Sequence, residues 1–94
     1  MEKVIFDGVE FSAGSWDMFG VKILLIKAAG GALGCGYINL AAAEKFGHPL
    51  AIVSGVSSYE DMLAAKVNAV SAAAVQKGVA VGMSGLEALK ILNR

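Results

Sequence analysis

The chain has one cysteine, one proline, one histidine and one arginine among its 94 residues. A lone Cys35 excludes an internal disulfide. With His48 it still falls short of the four ligands of a structural zinc site, so no metal is expected. Arg94 stands at the end of the sequence, which excludes bidentate phosphate recognition by arginine within the body of the chain. Charge is scarce too: 17% of residues are charged, eight Lys and Arg against eight Asp and Glu, for a formal net charge of zero. That balance argues against a nucleic-acid partner, which needs a basic face, and against disorder driven by charge. No stretch is long enough for a membrane span of about 20 apolar residues. The longest uncharged segment, Ala28 to Ala43, is short and glycine-rich. Met1 to Asp7 lacks the apolar run of a signal peptide, and a reducing cytoplasm is the expected compartment.

What is abundant is small and apolar. Hydrophobic residues make up 56% of the chain, with twelve glycines and sixteen alanines. One domain, residues 1–94, is expected at this length. Small side chains force its backbones close together. A weakly charged domain of this kind has trouble covering itself with polar groups. Burying one face against a second copy solves that, so self-association as a dimer or larger assembly is expected.

The first third reads as β-structure. Val4-Ile5-Phe6 and Val9-Glu10-Phe11 flank Asp7-Gly8, a pair suited to a tight hairpin turn because both positions accept positive φ. Ser12-Ala13-Gly14-Ser15 then interrupts the pattern. Trp16-Asp17-Met18-Phe19 reads as an apolar patch at a loop or strand end, suited to anchor an interface or to lie over the core. Lys22 to Lys27 reads as a central strand, Gly30-Gly31 as a turn, and Ala32 to Ile38 as the returning strand. Asn39 caps a helix from Leu40 to Phe46, stopped by Gly47 and followed by Pro49. Leu50 to Val53 is a short buried strand. Ser58 and Asp61 resemble a capping box opening a helix over Tyr59 to Ala65. Asn68 is read as the cap of a helix over Ala69 to Lys77, closed by Gly78, either separate from the preceding helix or joined to it through Lys66-Val67. Val79-Ala80-Val81 is a last strand or an extended link. Ser84 and Glu87 form a full capping box before a helix at Leu86 to Leu92, with Leu86, Leu89 and Leu92 on its core face. Strands followed mainly by helices predict an α+β fold, with three or four short helices packed on one face of a mostly antiparallel sheet.

Three segments carry candidate chemistry. Cys35 lies between Gly34 and Gly36, four residues before the predicted helix cap Asn39. As a catalytic candidate it would be a thiol activated by that helix terminus; otherwise it is a small core residue. His48 as its base would complete a minimal nucleophile pair. Gly82-Met83-Ser84 precedes a capped helix, and Gly55, Ser57 and Ser58 precede another. Both loops present backbone N–H groups where a small anionic ligand could bind, or where glycines merely permit a turn. Neither contains the lysine of a nucleotide-binding P-loop. Gly30 to Gly36 lacks the spacing of a dinucleotide loop. No cofactor is indicated.

Gly34-Cys35-Gly36-Tyr37-Ile38-Asn39, Gly55-Val56-Ser57-Ser58-Tyr59-Glu60-Asp61-Met62-Leu63 and Gly78-Val79-Ala80-Val81-Gly82-Met83-Ser84-Gly85-Leu86-Glu87-Ala88-Leu89 together resemble the YunC-like family of small bacterial and archaeal proteins, a family of unknown function. The resemblance covers nearly the whole chain. It implies an acidic residue at the position of Asn39 and a basic one at that of Ser57, and this chain has neither charge. The expected function is a non-enzymatic, homo-oligomeric binding or assembly module with a glycine-lined pocket. The alternatives are a thiol enzyme or redox sensor using Cys35, and a regulatory or structural subunit of a larger complex.

Overall fold

Two tight turns start the sheet in the computed structural model, which describes residues 1–94. Strands β1 (Glu2–Phe6) and β2 (Val9–Met18) are joined by Asp7-Gly8, at φ 52° and 78°. Two left-handed residues are what a type I′ hairpin requires. β2 and β3 (Val21–Lys27) are joined the same way by Phe19-Gly20, at φ 54° and 85°. Here the outcome differs from expectation. β2 runs through Ser12–Ser15 to Met18, because the whole segment Ser12–Met18 finds a partner in β3. The chain then enters β4 (Ala32–Gly34), which is only three residues long. The predicted strand to Ile38 stops there: the Cys35 carbonyl accepts from the Ile38 amide, closing a turn.

Helix α1 (Leu40–Phe46) is the crossover to β5 (Leu50–Ile52), which pairs parallel to β4. The other four pairings are antiparallel, in the strand order β1-β2-β3-β4-β5-β6. Helix α2 (Tyr59–Ala64) precedes β6 (Ala69–Val70), and α3 (Ala72–Lys77) and α4 (Gly85–Leu92) complete the chain. The boundary predicted at Asn68 moves. Ala69 and Val70 pair with Ile52 and Ala51 as the sixth strand, and Ser71 caps α3 by accepting from the Ala74 amide at 3.3 Å. Ser71 is fully buried, and its hydroxyl also donates to the His48 carbonyl (2.7 Å) and accepts from the Leu50 amide (2.9 Å). One hydroxyl thus ties three segments together.

The fold is α+β, with six mostly antiparallel strands and four helices. Alternation along the strands separates two faces. Phe11, Ala13, Leu24, Ile26, Leu33, Ala51 and Val53 lie on one, buried beneath Met62 of α2, Ala74 of α3 and Ala88, Leu89 and Leu92 of α4. Burial of a leucine such as Leu89 contributes about 2 kcal/mol. On α4 the buried residues are Gly85, Ala88, Leu89 and Leu92, and Leu86 is only half-buried, so the stripe is rotated from the expected one. α1 lies on the opposite face: Ala43 packs on Leu50 and Ile52. It covers only the β4–β5 side, so the face of β1–β3 away from the three helices carries no helix.

Candidate functional site: the open sheet face and its groove

The uncovered face carries Trp16, Met18 and Val21 at one end and Ile5, opposite Glu10, at the other, each at least 40% exposed. Cross-strand register puts Trp16 opposite Ile23 and Met18 opposite Val21. Phe19, in the turn between them, is 98% exposed. Scattered apolar residues on a surface are ordinary, but a contiguous patch marks an interaction site. The tip has a second property. β1 begins at Glu2, opposite Ala13, so Gly14–Met18 have no strand on that side. In a two-residue hairpin the residues flanking the turn form a hydrogen-bonded pair, and such pairs alternate along the ladder. Val9, Phe11 and Ala13 therefore turn their backbone groups towards β1. Ser15 and Asp17 turn theirs to the same edge, beyond the end of β1. The Trp16 ring folds back over Gly14, where a Cβ would stand 2.7 Å from a ring carbon. Beside this edge is a cleft of about 400 Å³ between Met1, Glu2, Ser15, Trp16 and Tyr59. The buried Tyr59 hydroxyl makes no hydrogen bond, which is uncommon for a buried polar group.

A larger groove, of about 640 Å³, lies where the open face meets α1. Leu25 and Leu50 line it from the sheet, and Ala42, Ala43 and Phe46 from α1. Lys27 and the turn Ala28–Gly31 form the other wall. Two alanines on α1 leave the space unfilled. Gly30 and Gly31 are required by close approach: Cβ atoms there would meet the Leu92 carbonyl at 2.9 Å and the Pro49 carbonyl at 2.7 Å. Lys77 donates to the carbonyls of Gly30 (3.1 Å) and Arg94 (2.9 Å), holding that wall to α3 and the last turn.

The residues singled out in the sequence are dispersed. Asn39 lines the groove, and its side chain accepts from the Ala41 amide (2.9 Å) as the cap of α1. Gly34 is buried beneath Ile38, which occupies the space above its α-carbon. Cys35 is 4% exposed, and its sulfur accepts from the Leu24 amide at 3.3 Å. Gly36 is exposed beside Ser54. Ser57 donates through both its amide (3.1 Å) and its hydroxyl (3.0 Å) to Asp61, and Ser58 caps α2. Those hydrogen bonds from Ser57, ahead of those from Ser58, hold the Asp61 carboxyl below the usual carboxylate range. Ser84 caps α4, and the loop amides are engaged: Gly82 donates to Val67, Met83 to Ala80 and Gly85 to Ala65. None of Gly55, Ser57, Ser58, Gly82, Met83 or Ser84 lines either cleft. His48 lines the groove and stacks on Phe46, with 5.9 Å between ring centroids, while Cys35 lies in the core on the other face. The proposed Cys35–His48 pairing is therefore not formed. No motif in the sequence singles out Lys27, Ala42, Phe46 or Tyr59, which line the two clefts. Only the alternation of β3, which places Leu25 and Lys27 on one face, pointed to the groove.

A six-stranded, mostly antiparallel sheet with four helices makes this a small α+β protein. The chain belongs to the DUF1805 family, a domain of unknown function whose pattern matches residues 34–92. It is similar to a solved structure from Thermoplasma acidophilum, TA1206, described as a protein of unknown function. The two are 28% identical with a TM-score of 0.90, over 97% of this chain and 89% of that one. The likeness extends to the β1–β3 hairpins, which precede the family match. No curated protein matches the chain. No helix is long and apolar enough to cross a membrane.

Proposed function

We propose that this protein is a non-enzymatic assembly and binding module, and that the free edge and apolar face of the β2–β3 hairpin join it to a second copy of itself. The observation that carries this reading is the extension of β2 beyond β1. Ser15 and Asp17 offer unpaired backbone groups at an edge flanked by exposed Trp16, Met18 and Phe19. Natural sheets normally blunt such an edge with charge, proline or a bulge, and here a single charge, Asp17, stands among exposed apolar residues. An antiparallel pair of Gly14–Met18 segments from two copies is self-complementary, as a two-fold interface must be. It centres Trp16 on Trp16. The glycine-edged groove beside α1 is the ligand-binding part of the module. The burial of Cys35 weighs against the thiol enzyme and sensor, and the YunC-like naming remains a resemblance carried by the Cys-Gly-Tyr and Gly-Met-Ser-Gly segments.

Sedimentation velocity over a range of concentrations tests the assembly, with Ser15→Pro as the diagnostic variant. Proline at a solvent-facing edge position leaves the monomer's own ladder intact but removes the donor. The wild type is expected to associate and the variant to remain monomeric. A wild type that is monomeric at every concentration overturns the reading.

A further inference from the structure

We infer that the groove between α1 and β3 binds a small amphiphilic monocarboxylate, its apolar body against Leu25, Ala42 and Phe46 and its carboxylate at Lys27. This rests on reading the groove as the module's binding site, and it is independent of the hairpin interface. Three observations select the ligand class. The volume, about 640 Å³, lies within the range of roughly 300–1,000 Å³ typical of small-molecule sites. The side chains lining it are mainly aliphatic and aromatic, which suits a hydrocarbon body.

The charged and polar groups at the rim are one-sided. No Asp or Glu lines the groove. The one acidic residue of α1, Glu44, turns away and accepts from the Ala72 amide at 2.8 Å. Lys27 lines the groove and makes no ion pair; the two pairs in the structure are Lys3–Glu10 and Lys90–Asp7. His48, which also lines the groove, stacks on the Phe46 ring. An apolar trough with one unpaired ammonium on its rim complements an apolar molecule with one negative end. A neutral hydrocarbon would leave the charge unused, and an amphiphilic cation would be repelled.

The test is a titration of the full-length protein with octanoate, octanol and octylammonium, followed by amide chemical shifts. Octanoate is expected to move the amides of Gly31, Ala42 and Phe46 and to bind about two- to fivefold more tightly than octanol, the upper part of the range for an exposed charge pair. Hexanoate should bind more weakly than octanoate, by roughly fourfold per methylene lost if the groove buries the chain. Lys27→Gln, at an exposed side chain, should abolish the preference for octanoate over octanol. Ala42→Phe, also exposed, should fill the groove and remove binding of both. Equal binding of octanoate and octanol, or tighter binding of octylammonium, overturns the ligand class while leaving the groove as a binding site. Absence of binding by all three overturns both. Groove shifts that follow protein concentration and do not respond to octanoate make a second copy the occupant and overturn the inference.

Discussion

The sulfur of Cys35 takes the place of a backbone carbonyl: it accepts the Leu24 amide at 3.3 Å, while the Cys35 amide donates to the Leu24 carbonyl at 3.1 Å. The Cys35 carbonyl has left the ladder to close the turn with Ile38. The side chain thus completes the last rung between β3 and the end of β4. Cys35→Ala should strand the Leu24 amide in the core and cost about 1–3 kcal/mol, the penalty of an unsatisfied buried donor. Urea unfolding measures this. Alkylation of the wild-type thiol should proceed only through unfolding, at a rate that rises with urea in step with the unfolded population. A rate near that of a free thiol in native buffer would return Cys35 to the list of reactive groups.

Gly85 and Gly36 should respond oppositely to the same change. The Met62 carbonyl at the end of α2 passes so close to Gly85 that a Cβ there would overlap it, and a backbone atom cannot swing aside. Gly85→Ala should therefore cost about 3 kcal/mol or more, the upper end of overpacking effects. At Gly36 the nearest atom to a new Cβ is the Ser54 hydroxyl, at 3.2 Å, on an exposed side chain. Gly36→Ala should be close to neutral. Thermal melts of the two variants separate a glycine needed for helix packing from one that is not.

Two exposed carboxylates set an acid limb of stability. A side-chain hydrogen bond from Lys90, reinforced by its charge, lowers the pKa of Asp7, and hydrogen bonds from Ser57 lower that of Asp61. Both groups bind protons less readily folded than unfolded. Their contributions are complete above the unfolded aspartate pKa of about 3.9 and are lost as pH falls through the lower folded values. The urea midpoint should fall across that acid window. Asp61→Asn should lower the midpoint near neutral pH and flatten the acid decline. An unchanged slope in this variant would show that the Ser57 contacts do not persist in solution.

What could be read from the residues was local. Asp7-Gly8 announced its turn because both residue types tolerate positive φ, and Asn39, Ser58, Ser84, Gly47 and Gly78 marked helix ends by their own backbone chemistry. Three features depended on distant partners. β2 continues through Ser12–Ser15 because β3 lies alongside it. Ala69-Val70 is a strand because β5 offers an edge, which moves the cap of α3 from Asn68 to Ser71. The position of α1 was hidden because Leu40-Ala41-Ala42-Ala43 has no strongly one-sided apolar pattern. Its face is decided by the parallel β4–β5 crossover. The groove inherited that obscurity: its walls come from β3, α1 and the Gly30-Gly31 turn, and only their assembly places Lys27 and Phe46 on one groove.

The Phe19-Gly20 turn is the sharpest conflict between local and collective demands. Phe19 stands at φ 54° and is 98% exposed. A bulky residue is disfavoured in that left-handed region, and asparagine followed by glycine is the preferred sequence for the turn. Relief of the strain should make Phe19→Asn more stable than the wild type by about 1 kcal/mol, on the scale of left-handed backbone costs. If the exposed ring is retained for assembly, the same variant should associate more weakly. Unfolding and sedimentation measured on one preparation read both effects. A gain in stability with undiminished association would remove Phe19 from the interface and leave Trp16 and Met18 as its apolar centre. Loss of stability would show that Phe19 packs on something within its own chain, and the hairpin tip would then no longer be an open surface.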